Sequence, residues 1–226
     1  MSRWLAEVLA VAGKDLRTEF RTRVALNALA LFALTTLAAV SYTIGPYRLS
    51  AEDRPFLLSV LLWIVIFFAA LAGLDRSFVK EEESHTAGLL RLAAAPTVVW
   101  AGKLVYNLVL ILVLMAILAP LFCVLMGFEI VMPWRFVAVL AAGGFGLAVT
   151  TTIVAAIIAQ AMTRGALFSV LSLPLLLPLL IFLIQGTTAV STGDLATWSA
   201  SLRAVLSMAG VMTVVSALLF PVVWRD

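Results

Sequence analysis

Six stretches of the chain run without a charged side chain for about the 20 residues that a helix rising ~1.5 Å per residue needs to cross ~30 Å of hydrocarbon. They are Val24 to Ile44, Phe56 to Leu74, Leu104 to Phe128, Phe136 to Met162, Ala166 to about Ile184, and Ala204 to Trp224. Gly45-Pro46 ends the first, Arg54-Pro55 opens the second, and Met132-Pro133 divides the third from the fourth. Only Thr163-Arg164-Gly165 separates the fourth from the fifth, which predicts a tight hairpin. Residues 3 to 20 follow a different pattern. Trp4, Leu5, Val8, Val11, Ala12, Leu16 and Phe20 fall on one helical face, with Arg3, Glu7, Lys14, Arg17 and Arg21 on the other. This stretch is too charged to span and predicts an amphipathic helix lying in the interface.

Composition turns this pattern into a class. Of 226 residues, 64% are hydrophobic and only 12% charged, which excludes soluble, secreted, disordered and nucleic-acid-binding proteins. The single cysteine, Cys123, stands in an apolar run and excludes a disulfide framework or a cysteine-rich metal site. Residues 1–23 mix Glu7, Asp15 and Glu19 with five basic residues, so the N-terminal region is expected to stay as an anchor and not to be cleaved. The expected fold is all-α: a polytopic membrane protein with six transmembrane helices plus the interfacial helix, forming one domain over residues 1–226.

Charge sets the expected orientation. An even number of spans places both termini on one side, together with the 75–103 loop and Arg164. That side carries eleven Lys and Arg residues, against Arg48, Arg54, Arg135 and Arg203 on the other. The positive-inside rule then puts both termini in the cytoplasm.

The longest polar segment, residues 75–103, lies on the basic side. Ser84 can cap a short helix carrying Leu89, Leu90 and Leu92, and Pro96 suits the first turn of the next element. The plain alternative is a solvated loop kept soluble by Glu81, Glu82 and Glu83. In the fifth span, Pro174 and Pro178 each remove a backbone donor, so a bent or broken helix is expected, serving either shape change or packing alone. The uncharged polar stretch Gln185 to Gly193 is expected to leave the lipid, making 185–203 a periplasmic or re-entrant segment.

At these residues the chain resembles the ABC-2 type transporter permeases and, within them, the haem exporter protein B (CcmB) family of bacterial cytochrome c maturation. Thr86, Leu89, Leu90 and Pro96 after the acidic run, followed by Gly102-Lys103-Leu104, are similar to the coupling-helix segment of such permeases. Lys14 to Arg21, Ile44-Gly45-Pro46, Leu74 to Phe78, and above all Arg164-Gly165 followed by the leucine-rich stretch holding Pro174 and Pro178 look like the narrower family. These stretches cover roughly half the chain. The resemblance implies a permease subunit in the bacterial inner membrane, present as a homodimer. Its implied partners are a CcmA-like ATP-binding subunit carrying ATP and magnesium, CcmC-like and CcmD-like haem-handling membrane subunits, and a CcmE-like periplasmic haem chaperone. It also implies that Glu81, Glu82, Glu83, His85 and Arg91 form the ATPase-coupling interface, that Pro174 and Pro178 permit a change of shape, and that Arg164 and Gly165 form a cytoplasmic hairpin.

The sequence agrees that ATP hydrolysis belongs to a partner. A P-loop needs glycine five residues before Gly-Lys and Ser or Thr after it. Gly102-Lys103 has Thr97 and Leu104 in those places, and Gly13-Lys14 has Val8 and Asp15. No catalytic, cofactor or metal residues are expected in this chain. His85, the sole histidine, lies outside the spans, which favours a surface or ATPase-contact role over haem ligation. That in turn favours a motor releasing the haem-loaded chaperone over a haem conduit. An exporter of another lipid or glycan, an intramembrane enzyme and a passive scaffold or channel are the alternatives, the enzyme lacking any clustered His, Ser or carboxylate set in the spans. Trp4, Trp100, Trp134, Trp198 and Trp224 fall where an interfacial aromatic belt would place them. Ala142, Gly144, Gly146 and Ala148 predict close helix approach in the fourth span. Glu129 and Asp194 fall at the outer boundary and suit no proton relay.

Overall fold

The structure, a computed structural model, describes residues 3–44, 50–74, 78, 81, 87–159 and 165–225, with the side chains of 87, 159, 165–170 and 225 left aside. Among these residues the helices are α1 (Arg3–Thr22), α2 (Val24–Thr43), α3 (Arg54–Leu74), α4 (Ala87–Ala93), α5 (Pro96–Met126), α6 (Pro133–Ala159), α7 (Gly165–Thr192) and α8 (Leu195–Arg225). Six of them, α2, α3 and α5 to α8, are long and apolar enough to cross a membrane. The chain is therefore an all-α, multi-pass membrane protein. Helix α6 is the most enclosed and α2 and α8 are the least.

Close approach is set by small side chains, as expected for α6. A Cβ on Gly146 would lie 2.9 Å from Leu179 Cδ2 of α7. One on Gly143 would collide with Trp63, whose buried indole Nε1 donates to Thr187 Oγ1 at 2.8 Å. Trp63 thus joins α3, α6 and α7 in the middle of the bundle.

Helix α1 connects to α2 with Arg23 alone between them, in the left-handed region at φ 56°. A non-glycine residue there costs about 1–2 kcal/mol, and no side chain of Arg23 caps α2. Glu19, only 3% exposed, supplies the missing acceptor: its Oε1 takes the Leu26 amide at 2.9 Å and its Oε2 takes the Tyr106 hydroxyl at 3.3 Å. One carboxylate thereby ties α1, α2 and α5 together.

Helix α5 starts at Pro96, as the sequence predicts, with Ala95 extended before it. It ends at Gly127, φ 58°, where Arg54 donates to the carbonyls of Gly127 (2.8 Å) and Met126 (3.3 Å) and so satisfies two orphan acceptors.

Helix α7 departs from expectation. It is helical from Gly165 to Thr192 with both prolines inside, so neither breaks it, and Pro174 and Pro178 both lie on its exposed side. The polar stretch after Ile184 also stays helical, and the element ends at Thr192. The reason lies in its hydroxyls. Thr187 accepts from Trp63, Thr188 and Thr192 donate to the carbonyls of Ile184 and Thr188, and Ser191 donates to the Glu129 carbonyl. Polar groups with partners need not leave the helix. Residues 185–203 thus form the end of α7, a turn at Gly193 (φ 82°) and the start of α8, whose first amides, of Ala196 and Thr197, donate to Asp194.

Candidate functional site

The end of the bundle that carries α1 and α4 holds a buried charge cluster. Helix α1 lies against the first turns of α5, where Val8 and Val11 meet Val98, Ala101 and Gly102. Gly102 makes this approach feasible, since a Cβ there would fall 2.6 Å from Val11 Cγ1. With α1 seated so closely, Lys103, 2% exposed, is covered. Its ammonium lies 2.9 Å from Asp15 Oδ2 and 3.0 Å from Glu81 Oε1. Lys14 completes the set, 2.6 Å from Glu81 Oε1 and 3.4 Å from Asp15 Oδ1.

Two ammonium groups thus alternate with two carboxylates, from α1, α5 and the segment between α3 and α4. Each charge has an opposite partner among the described residues, and removing the buried Glu81 or Lys103 from such a set typically costs about 3–5 kcal/mol. Burial pulls the Lys14 pKa down, but the hydrogen bond to Glu81 and the charges of Asp15 and Glu81 outweigh it and raise the pKa above 10.5. Lys14 thus reaches the cluster from an exposed position on α1, its side chain 49% exposed. The apolar Trp4, Leu5, Leu9 and Phe20 remain exposed along α1, as an interfacial helix requires.

A line of aromatic rings continues from this cluster to α4. The Lys103 ammonium stands 5.5 Å from the ring centre of Phe78, and Phe78 packs on Phe220 and Trp224 at 5.6 and 5.8 Å. Phe220 and Trp224 stack at 5.5 Å near the end of α8, and the Arg91 guanidinium of α4 lies 5.2 Å from the Trp224 ring centre. Trp224 is 4% exposed, and the partly buried Trp100 donates to Ser216 Oγ at 2.7 Å. Trp134 is 85% exposed.

Helix α4 turns Leu89 and Leu92 outward, 67% and 89% exposed. Arg91 and Glu81 are thereby accounted for, the first holding α4 to α8 and the second facing into the charge cluster. Glu82, Glu83, His85, Arg164 and Ser84 lie outside the described residues. Gly165 opens α7, far from any role the described side chains reveal. The sequence reading did not select Asp15, Lys103, Phe78 or Glu19 as functional. A usable signal existed for Lys103, which stands seven residues past Pro96 in an apolar helix, where an unpaired ammonium is costly. Among the described residues, no group of three or more His, Cys, Asp or Glu is placed to hold a metal ion.

The family described as CcmB protein matches residues 6–224 of the chain. A protein of Bradyrhizobium diazoefficiens named heme exporter protein B is 27% identical over 188 residues, which cover 83% of this chain and 83% of that one.

Proposed function

Because the chain belongs to the CcmB protein family, we propose that it is the membrane permease subunit of an ATP-driven haem-exporting assembly of cytochrome c maturation, working as a motor and not as an enzyme. The named relative supports the haem-export assignment. In this reading both termini, α1 and α4 face the cytoplasm of a bacterium. Two copies pair in the inner membrane, and a separate ATP-binding subunit docks beneath α4, with CcmC-like, CcmD-like and CcmE-like proteins handling haem.

The observation that carries the reading is the unbroken path from α4 into the bundle. Leu89 and Leu92 offer an apolar contact to a partner outside the membrane. Force on α4 reaches α8 through Arg91 and Trp224. It reaches α5 and α1 through Phe78, Glu81 and Lys103. Packed side chains with fixed partners move together, so closure of the ATPase subunits tilts α5 and α8 as bodies. Glu82, Glu83 and His85 then complete the docking contact, while Glu81 works inside the permease. The motor releases the haem-loaded chaperone, and haem is held by the partner membrane subunits.

Co-purification tests this. The tagged chain is co-expressed with the ATP-binding and haem-handling subunits, and haem absorbance is followed on elution. The ATPase is expected to co-elute and haem to track the other membrane subunits. An ATPase that fails to bind contradicts the permease assignment, and haem that stays with this chain alone contradicts the motor.

A further inference from the structure

Helix α1 sorts its charges by side. The carboxylates of Asp15 and Glu19 turn inward, Asp15 toward Lys103 and Glu19 to the Leu26 amide and the Tyr106 hydroxyl. Arg17, Arg21 and Arg23, interleaved with them in the sequence, are exposed, and among the described residues none of them forms an ion pair. The other charges of α1 are matched, Arg3 by Glu7 and Lys14 by Glu81. A stretch of mixed sign thus folds into a surface whose unopposed charges are all positive.

The flank beside these arginines is apolar. Leu5, Leu9 and Phe20 are 43%, 51% and 55% exposed. At ~100° per residue they stand about 120–180° round the helix from Lys14, the residue that reaches Glu81. Glu81 belongs to the segment joining α3 to α4, outside the membrane-crossing helices, so the apolar flank is turned away from that segment. Arg23 alone joins α1 to α2, a membrane-crossing helix whose first residue, Val24, is exposed as well. Arg17 stands about 60° round from Phe20, at the border between the apolar flank and the side of Lys14.

We propose that Arg17, Arg21 and Arg23 form a binding site for the phosphates of acidic phospholipids, with Leu5, Leu9 and Phe20 lying on the acyl chains beside them. The place of α1 says what covers it. One residue separates it from a membrane-crossing helix, its open flank is apolar, and unopposed cations stand at the edge of that flank, so the surface that fits is a bilayer carrying negative headgroups. A guanidinium meets a phosphate through two parallel N–H donors. The long arginine stems lie along apolar surface while their charged ends stay in water. Zwitterionic lipid offers the same acyl chains without net charge, which makes selectivity for the acidic headgroup the signature of the site.

The test compares two lipids with the same chains. The intact chain in detergent is given equimolar 1-palmitoyl-2-oleoyl-phosphatidylglycerol and 1-palmitoyl-2-oleoyl-phosphatidylcholine, and retained molecules of each are counted by native mass spectrometry. The wild type should retain the acidic lipid about tenfold over the zwitterionic one, a difference of ~1.4 kcal/mol. R17Q/R21Q/R23Q should abolish the preference. R17K/R21K/R23K, which keeps the charges, should hold most of it, as should R203Q, which removes an exposed arginine of α8. Equal retention of the two lipids by the wild type overturns the proposal, as does a preference that survives R17Q/R21Q/R23Q. In nanodiscs containing the acidic lipid, a spin label at Leu9→Cys in a Cys123→Ser background should be relaxed more by oxygen than by a water-soluble nickel chelate. The reverse order places that flank in water and overturns the proposal. If R17Q/R21Q/R23Q loses the ATP-binding subunit on co-purification while its lipid ratio stays that of the wild type, the arginines belong to a protein contact and the lipid site is wrong.

Discussion

The guanidinium of Arg91 lies 5.2 Å from the ring centre of Trp224, so the short helix α4 is fastened to the far end of α8, the last membrane helix in the chain. A partly exposed cation–π contact contributes about 0.5–1 kcal/mol, equivalent to a factor of roughly 2–5 in an equilibrium. Arg91→Ala should therefore lower holocytochrome c yield two- to fivefold at unchanged expression, with Arg91→Lys intermediate. Yield per unit of membrane-inserted protein checks this.

At the centre of the bundle, Gly143 leaves room for the Trp63 ring. Gly143→Ala should overpack the α3–α6 contact at a cost of about 1–3 kcal/mol. Trp63→Phe removes the colliding ring atoms but also the hydrogen bond to Thr187. The two substitutions combined should cost less than their sum, and a double-mutant cycle on thermal unfolding in detergent measures the coupling.

The raised pKa of Lys14 gives α1 a pH dependence. A group whose pKa is higher in the folded state contributes stability that is fully present below its unfolded value, here 10.5, and is lost as pH rises through the folded value above it. The contribution is reduced by solvent screening, since the Lys14 side chain is 49% exposed. A spin label at Leu9→Cys, in a Cys123→Ser background, should become more mobile only above pH 10.5. Lys14→Met should remove that step.

The number of spans, the amphipathic helix α1, the start of α5 at Pro96 and the small residues of α6 were all legible in the sequence, because each rests on local pattern. What was not legible has a common cause. Where the surrounding lipid is as apolar as the core, hydrophobicity cannot tell an inward face from an outward one. The pattern therefore showed Lys14, Trp100, Trp224 and the hydroxyls of Thr187, Thr188 and Ser191 without the partners they meet. Each of those side chains has a specific partner on another turn or helix, which only the packed bundle supplies. The candidate site shows the same limit: Glu81 was legible as part of the coupling segment, but its pairing with Lys103, 22 positions away, was not.

If Glu82 and Glu83 contact the ATP-binding subunit while Glu81 acts within the permease, their substitutions should separate. Glu82→Lys combined with Glu83→Lys should reduce co-purification of the ATPase. Glu81→Gln should leave it unchanged, and quantitative pull-down of the assembled complex compares them.

The central claim, that the cluster of Lys14, Asp15, Glu81 and Lys103 carries motion from the ATPase into the membrane helices, is tested most directly by two readouts on the assembly carrying Glu81→Gln. ATP hydrolysis should persist near the wild-type rate while holocytochrome c formation falls about tenfold, the loss of ~1.4 kcal/mol of coupling. Full holocytochrome c formation at the wild-type rate of ATP hydrolysis would contradict the account.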